Sequence, residues 1–325
     1  MNDIATNDYT MHYGDCIPAM HELKKQGKQF DLSVFSPPFA SLYTYSNHHA
    51  DIGNSKESDD EFKLHFEFFV KALFDIIKDG RNVCVHIQNI ARSLTYHSSR
   101  GIWDIRGDVI RLFEKVGFWY YGEVTLYKNA QAQSIRTKAH ALMFSQFIKD
   151  SLISRPALAD YLMIFKKPGE SLTKCTSDNK QKNDHGAIER QDVTNDDWKE
   201  WASPIWITNE DGYMLKYPNP FHDSWFDINE TNTLNAKNAM NKNDEKHICP
   251  LQLDLIYRCV KLWSNPNEIV FSPFAGIGSE GYQSILLDRK FEGIELKKEY
   301  FDEAIKNLND AIKIKAINKS QLQLC

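Results

Sequence analysis

Two short stretches carry residue types that could do chemistry together. The first is Ser36-Pro37-Pro38-Phe39, which follows the apolar run Leu32-Ser33-Val34-Phe35. Consecutive prolines fix φ and remove two N–H donors, so a strand cannot continue through them and the backbone stiffens. The result is an elbow with one hydroxyl, carbonyls free of a competing N–H, and an aromatic face. Such a set can hold a flat polar ligand by hydrogen bonds and stacking. Taken alone, it reads more simply as a turn.

The second stretch lies far downstream, at Ser272-Pro273-Phe274-Ala275-Gly276-Ile277-Gly278-Ser279-Glu280-Gly281. It sits between a short apolar strand (268–271) and a helix (282–287), and a further strand (291–294) runs into Glu295. Glycines in such a turn let backbone N–H groups approach a nucleotide, and an acid at the next strand end accepts from ribose hydroxyls. Glu295 stands 17 residues beyond Gly278. Gly276, Gly278 and Gly281 match G-x-G-x-x-G, so a dinucleotide site is open on these residues alone.

Regular elements must hold both stretches. The spacing predicts a strand over 9–13 leading into Gly14-Asp15-Cys16, then a helix carrying Ile17, Met20 and Leu23. Phe62, Phe66, Phe69, Val70, Leu73, Phe74 and Ile77 fall at helical spacing over 60–78, a helix ended by Asp79-Gly80. Apolar strands follow over 82–87, 119–128 and 161–165, with a helix over 107–116. A helix over 250–262 and another over 297–315 flank the C-terminal strands. Strands alternating with helices indicate an α/β sheet. A dinucleotide fold places several strands after its glycine loop, whereas here one follows, so the rest must come from the N-terminal half. The expected architecture is a circularly permuted, Rossmann-like sheet with the elbow and the glycine loop at one edge, where open α/β sheets bind ligands.

Three stretches fall outside that pattern. The polar loop 40–60 carries Tyr43 and Tyr45 beside the elbow. Loop 129–140 carries Arg136 and Lys138, which suit either phosphate contacts or a solvated surface. Residues 170–197 are polar and poor in aliphatics, and 198–235 mix tryptophans and tyrosines with prolines, fitting neither a helix nor a regular sheet. The chain therefore divides into 1–169, an inserted module over 170–240, and 241–325.

Composition excludes several classes. With 325 residues, 42% hydrophobic and 26% charged, the chain suits a soluble globular protein. It shows no apolar run of membrane-spanning length and no signal-peptide h-region, so no membrane role is expected. The six cysteines are scattered without a C-x-x-C pair and read as free thiols in a reducing cytoplasm. Histidines lack metal spacing, and no metal is expected. A net charge of −5 gives no global basic signature, so nucleic-acid binding would need a local basic face.

In this order, the motifs resemble those of the β-type amino-methyltransferases of DNA, over nearly the whole chain. Ser36-Pro37-Pro38-Phe39 resembles the catalytic (S/N/D)-P-P-(Y/F) motif, and Ser272 to Ser279 resembles D-P-F-x-G-x-G-(T/S), with serine in place of aspartate. His247-Ile-Cys-Pro250-Leu-Gln-Leu253 resembles the segment contacting the methionine end of S-adenosylmethionine. Asp15 and Cys16 resemble the segment reaching the adenine, and Glu295 the ribose acid. The combination is most similar to prophage-type orphan methylases. The resemblance implies a site-specific methyltransferase that flips a base from double-stranded DNA and methylates its exocyclic amine from S-adenosylmethionine, leaving S-adenosylhomocysteine. It implies Ser36, Pro37, Pro38 and Phe39 as catalytic residues. Asp15, Cys16, His247, Pro250, Ser272, Pro273, Phe274, Ala275, Gly276, Gly278, Ser279 and Glu295 would hold the cofactor. Tyr43, Tyr45, Arg136 and Lys138 would face the target DNA. Serine at the elbow is commoner in cytosine N4 enzymes, whereas the whole-chain resemblance is to adenine methylases; adenine N6 is put first. Two other classes fit parts of the sequence: a nucleotide-binding oxidoreductase, which leaves the elbow without a role, and a methyltransferase acting on RNA or protein. A homodimer is compatible with these readings.

Overall fold

The structure is a computed structural model that describes residues 2–38, 61–92, 101–127, 130, 133–134, 139–175, 180–182, 186, 188–190, 193–209, 228–229, 232–235 and 250–322. Its strands are β1 (Asn2–Ala5), β2 (Tyr9–Tyr13), β3 (Phe30–Phe35), β4 (Ile77–Gln88), β5 (Ile90–Arg92), β6 (Gly101–Trp103), β7 (Trp119–Tyr127) and β8 (Asp160–Lys166). They continue with β9 (Lys180–Lys182), β10 (Ile188–Arg190), β11 (Ile205–Asn209), β12 (Ile228–Asn229), β13 (Ile269–Ser272) and β14 (Lys290–Glu295). The main sheet runs β1-β2-β14-β13-β3-β4-β8-β7-β11-β12, with β5–β6 and β9–β10 as separate pairs. Strands β2, β14, β13, β3 and β4 run parallel in that order, and β8 is antiparallel to both β4 and β7. The α/β sheet expected from the sequence is therefore present, and it is mixed and mostly parallel. Strands β3 and β13, more than 230 residues apart in the chain, lie side by side with Val270 opposite Leu32.

Parallel strands covered on both faces read as continuous apolar runs. Along β4, Val83, Val85 and Ile87 enter one core while Cys84 enters the other. The first core packs helices α1 (Cys16–Lys25), α2 (Glu61–Ile76) and α3 (Ile105–Val116) around phenylalanines. Phe113 stacks on Phe165 at 4.0 Å, and Phe30 on Phe271 at 4.4 Å. Shorter helices α4 (Phe144–Lys149) and α5 (Asn195–Trp201) come next in the chain. The opposite face takes α6 (Leu253–Trp263), α7 (Ser279–Leu286) and α8 (Lys298–Leu322).

Polar clamps lock β3 to β13. Ser33 Oγ donates to the Phe271 carbonyl at 3.0 Å, and Asp31 Oδ2 accepts from the Ile269 N–H at 3.0 Å. Arg81 adds a buried two-pronged ion pair to Glu268 at the strands' amino ends.

Two local expectations differ from the structure. Asp79-Gly80 follows a helix that has already ended at Ile76, and it lies inside β4 as an irregularity, with Gly80 at φ 72°. Residues 195–201 form a helix despite their mixed composition. The reason is a capping box: the Thr194 side chain accepts from Asp197 N–H while Asp197 accepts from Thr194 N–H. The next strand, β11, joins β7 and extends the main sheet, and Trp201 is buried against Tyr257.

Candidate active site

Five segments meet at one edge of the sheet because they follow parallel strands. Strand β3 delivers Ser36-Pro37-Pro38, β13 delivers Ser272 to Gly278, β14 delivers Glu295, β2 delivers Gly14-Asp15-Cys16, and β4 ends at His86 to Gln88. Backbone hydrogen bonds tie three of them together. Gly14 N–H donates to Glu295 O at 3.0 Å, and Ala275 N–H donates to Ile294 O at 2.9 Å. The elbow and the glycine loop are joined by rings: Phe274 packs on Phe35, the residue before Ser36, at 5.7 Å and on Phe69 at 4.9 Å.

The three glycines of the downstream loop have different physical tasks. Gly276 lies at φ 52°, and a Cβ built there meets nothing within 4 Å among the described residues, which leave this turn open. Gly278 lies at φ 87° and precedes the first residue of α7. Both conformations are costly for a side chain. Gly281 is a packing glycine, because a Cβ there would come within 2.4 Å of the Phe291 ring and 2.5 Å of Leu308.

Glu295 Oε2 accepts from Gly276 N–H and Oε1 from Lys297 N–H, each at 2.8 Å, so the carboxylate is fixed against the turn it was expected to serve. Asp15 caps α1 by accepting from Ile17 N–H at 2.9 Å. Burial pushes the Cys16 thiol well up, and the charges of Asp15 and Glu295 add to that. Burial likewise pushes the Glu280 carboxyl up to about 8, opposed by a hydrogen bond from its own N–H and reinforced by Glu295. Ser272 is fully buried, and its hydroxyl finds no hydrogen-bond partner among the described residues.

Ser36 is half-buried, Pro37 is buried, and Pro250 stands half-buried just before α6. The Ser36 hydroxyl lies 3.3 Å from His86 Nδ1, and His86 Nε2 lies 3.0 Å from Asp160 Oδ2. Neither His86 nor Asp160 was singled out from the sequence. The available signal was a lone histidine in the buried run Asn82-Val-Cys-Val-His-Ile87 and an aspartate directly before Tyr161-Leu-Met-Ile-Phe165. Phe39, Tyr43, Tyr45, Arg136, Lys138 and His247 lie outside the described residues. The described residues contain no cluster of metal-ligating side chains and no helix long and apolar enough to cross a membrane.

Known structures share this fold. A protein of Thermus thermophilus described as a DNA modification methylase, solved with S-adenosyl-L-methionine, aligns over 94% of this chain and 96% of its own. The TM-score is 0.61 at 16% identity. The cytosine-N4-specific PvuII DNA methyltransferase aligns over 96% of this chain and 93% of its own, with a TM-score of 0.56 at 14% identity. The fold is that of the DNA modification methylases. Among curated relatives, the type II methyltransferase M.BglII of Bacillus subtilis is 37% identical over 75 residues, covering 22% of this chain and 21% of its own. The orphan methyltransferase M.BamHII of Bacillus amyloliquefaciens is 44% identical over 50 residues, covering 15% of this chain and 19% of its own. These matched stretches span only about a fifth of each relative. The chain belongs to the DNA methylase family N6_N4_Mtase, which matches it over residues 30–306.

Proposed function

We propose that this protein transfers a methyl group from S-adenosylmethionine to the exocyclic amine of a base flipped out of double-stranded DNA. The observation that carries this reading is the adjacency of Ser36-Pro37-Pro38 and the Gly276–Gly278 turn at the ends of the neighbouring strands β3 and β13. S-adenosylmethionine, when bound, supplies an electrophilic methyl on a positively charged sulfur. The residues at this edge suit it. Among the described residues the Gly276 turn is open and the buried Ser272 hydroxyl has no partner, while Glu295 has carboxylate lone pairs for ribose hydroxyls. Asp15, Cys16, His247, Pro250 and the 272–279 loop complete the proposed cofactor set, with Cys16 contributing as an apolar wall.

The exocyclic amine is a poor nucleophile because its lone pair is delocalised into the ring. Ser36 Oγ and the Pro37 carbonyl accept hydrogen bonds from its two N–H groups. That arrangement draws the nitrogen toward sp³ geometry and turns its lone pair toward the donor. Orientation and placed charge then supply the rate enhancement, with no covalent intermediate on the protein. Pro38 stiffens the elbow, and Phe39 stacks on the extruded base, a contact worth about 1–3 kcal/mol. Tyr43 and Tyr45 close over the base, and Arg136 and Lys138 meet phosphates. The polar and aromatic module at 170–240 reads the target sequence, between the catalytic half at 1–169 and the cofactor half at 241–325. The enzyme works in the reducing cytoplasm, and a homodimer is compatible with this role.

Adenine N6 is the first reading of the target atom, supported by the whole-chain resemblance to adenine methylases. Cytosine N4 is the second, favoured specifically by serine at the first elbow position. The test is incubation with tritiated S-adenosylmethionine and unmethylated duplex DNA. Label enters the DNA with the wild type and is lost with Ser36→Ala plus Phe39→Ala. Unlabelled DNA with the wild type, or undiminished label with the double variant, would contradict the reading.

A further inference from the structure

Ser36 is backed by two further polar side chains. In the antiparallel pairing of β4 with β8, Gln88 lies opposite Asp160, which places Asp160 at the same sheet edge as His86. Asp160 Oδ1 accepts from Gln88 Nε2 at 2.6 Å, and Gln88 Nε2 also donates to Leu158 O at 3.2 Å, which holds the carboxylate in place. Its other oxygen, Oδ2, is 3.0 Å from His86 Nε2, and His86 Nδ1 is 3.3 Å from Ser36 Oγ. His86 is 8% exposed and Asp160 6%, so water competes little for these contacts.

A direction follows from the donors and acceptors. A carboxylate only accepts, so the hydrogen between Asp160 and the ring belongs to Nε2. A neutral ring then presents a lone pair at Nδ1, and the Ser36 hydroxyl must donate to it. The remaining lone pairs on Ser36 Oγ are left for the substrate's N–H. The opposite tautomer would make Ser36 an acceptor from the ring and swing its own hydrogen toward the amine, opposing the contact the reaction needs.

We propose that His86 and Asp160 are positioning residues that aim the Ser36 hydroxyl and receive the proton released by methyl transfer. This rests on the methyltransferase reading above. As the amine lone pair forms the new N–C bond, sulfur keeps the electron pair of the breaking C–S bond, and the nitrogen carries one proton too many. That proton passes to Ser36 Oγ while the Ser36 hydrogen passes to His86 Nδ1. The imidazolium is held by Asp160 and loses its proton to solvent when the product leaves. Among the described residues, the charged group in contact with the ring is Asp160 on β8; Ser36 from β3 and Gln88 from β4 are neutral.

The test compares wild type, His86→Ala, His86→Asn and Asp160→Asn on S-adenosylmethionine binding, DNA binding, single-turnover methylation from pH 5 to 9, and thermal unfolding. A positioned proton acceptor contributes roughly 100-fold or more to rate. His86→Ala is expected to lose about that much with both binding constants within twofold of wild type. Asparagine offers an oxygen where Nδ1 was but cannot take a proton. His86→Asn is therefore expected to recover part of the rate and to lose the acid limb of the pH profile. Nitrogen-15 NMR of the free wild-type protein is expected to show hydrogen on Nε2 of His86, moving toward Nδ1 in Asp160→Asn. Should His86→Ala fail to fold, the asparagine variants and the NMR signature decide. A wild-type rate in His86→Asn with an unchanged pH profile, or hydrogen on Nδ1 in the wild type, overturns the relay while leaving the methyltransferase reading intact. No methyl transfer by the wild type overturns both.

Discussion

The glycine loop allows a perturbation that separates ligand-facing backbone from packing backbone. Gly281→Ala adds one methyl in α7 where the Phe291 ring stands 2.4 Å away and Leu308 2.5 Å away. Phe291 belongs to β14, which is paired on both sides, so its ring cannot retreat easily. Overpacking of this kind costs about 1–3 kcal/mol, and the upper end applies with two contacts this short. Alanine's helix propensity returns roughly 1 kcal/mol, leaving a net loss of about 2 kcal/mol. An unfolding entropy of about 2.1 cal/mol/K per residue gives roughly 0.7 kcal/mol/K for this chain, so Tm should fall by about 3 °C. Affinity for S-adenosylmethionine, measured by calorimetry well below Tm, should stay within about twofold. Gly276→Ala should do the reverse. Its Cβ meets no atom of the described residues within 4 Å, so their packing is unchanged and the positive φ costs about 1 kcal/mol, yet the methyl stands in the open turn and should weaken affinity tenfold or more. If Gly281→Ala abolished binding while Tm held, or Gly276→Ala bound normally, this division of the glycines would be refuted.

Other substitutions test the packing and the charges. Glu280 has its folded pKa raised from 4.5 to about 8, so the native state holds its proton more tightly than the unfolded chain. Stability should therefore be greatest below about pH 4.5 as far as this group is concerned, and decline as pH rises toward about 8. Glu280→Gln should flatten that decline in urea titrations at pH 6 and 8.5. Phe113→Ala removes a fully buried ring stacked on Phe165 and should cost about 3–5 kcal/mol by denaturant unfolding. Arg81→Ala removes the positive charge paired with Glu268, whose side chain is 11% exposed and keeps its hydrogen bonds from Asn265, and should cost about 3 kcal/mol in the same unfolding measurement.

The sequence disclosed most of what positions the site. Apolar runs such as Leu32 to Phe35 and Tyr161 to Phe165 are largely buried on both faces, which is why their pattern was plain. The order of motifs required the elbow strand and the glycine-loop strand to share one sheet, and β3 and β13 are neighbours. Less visible were elements whose stability is tertiary. Strand β11 becomes a strand by pairing with β7, and helix α5 depends on one threonine and one aspartate at its start. The partnership of His86 with Asp160 was hidden for a related reason. An antiparallel strand turns its first residue toward the carboxyl edge of its parallel neighbours, and strand direction is a property of the sheet rather than of local spacing. Glu295 was recognisable by its distance from the glycines, but its bonds to Gly276 and Lys297 could be known only from the folded chain.

The most direct measurement is mass-spectrometric nucleoside analysis of DNA from a methylation-deficient host expressing either the wild-type chain or Ser36→Ala. N6-methyladenine is expected with the wild type, and none with Ser36→Ala at equal expression. N4-methylcytosine in its place would keep the site and transfer the target to the second reading. Absence of any methylated amine with the wild type, or an equal yield from Ser36→Ala, would contradict the claim that the elbow and the glycine loop form one methyl-transfer site.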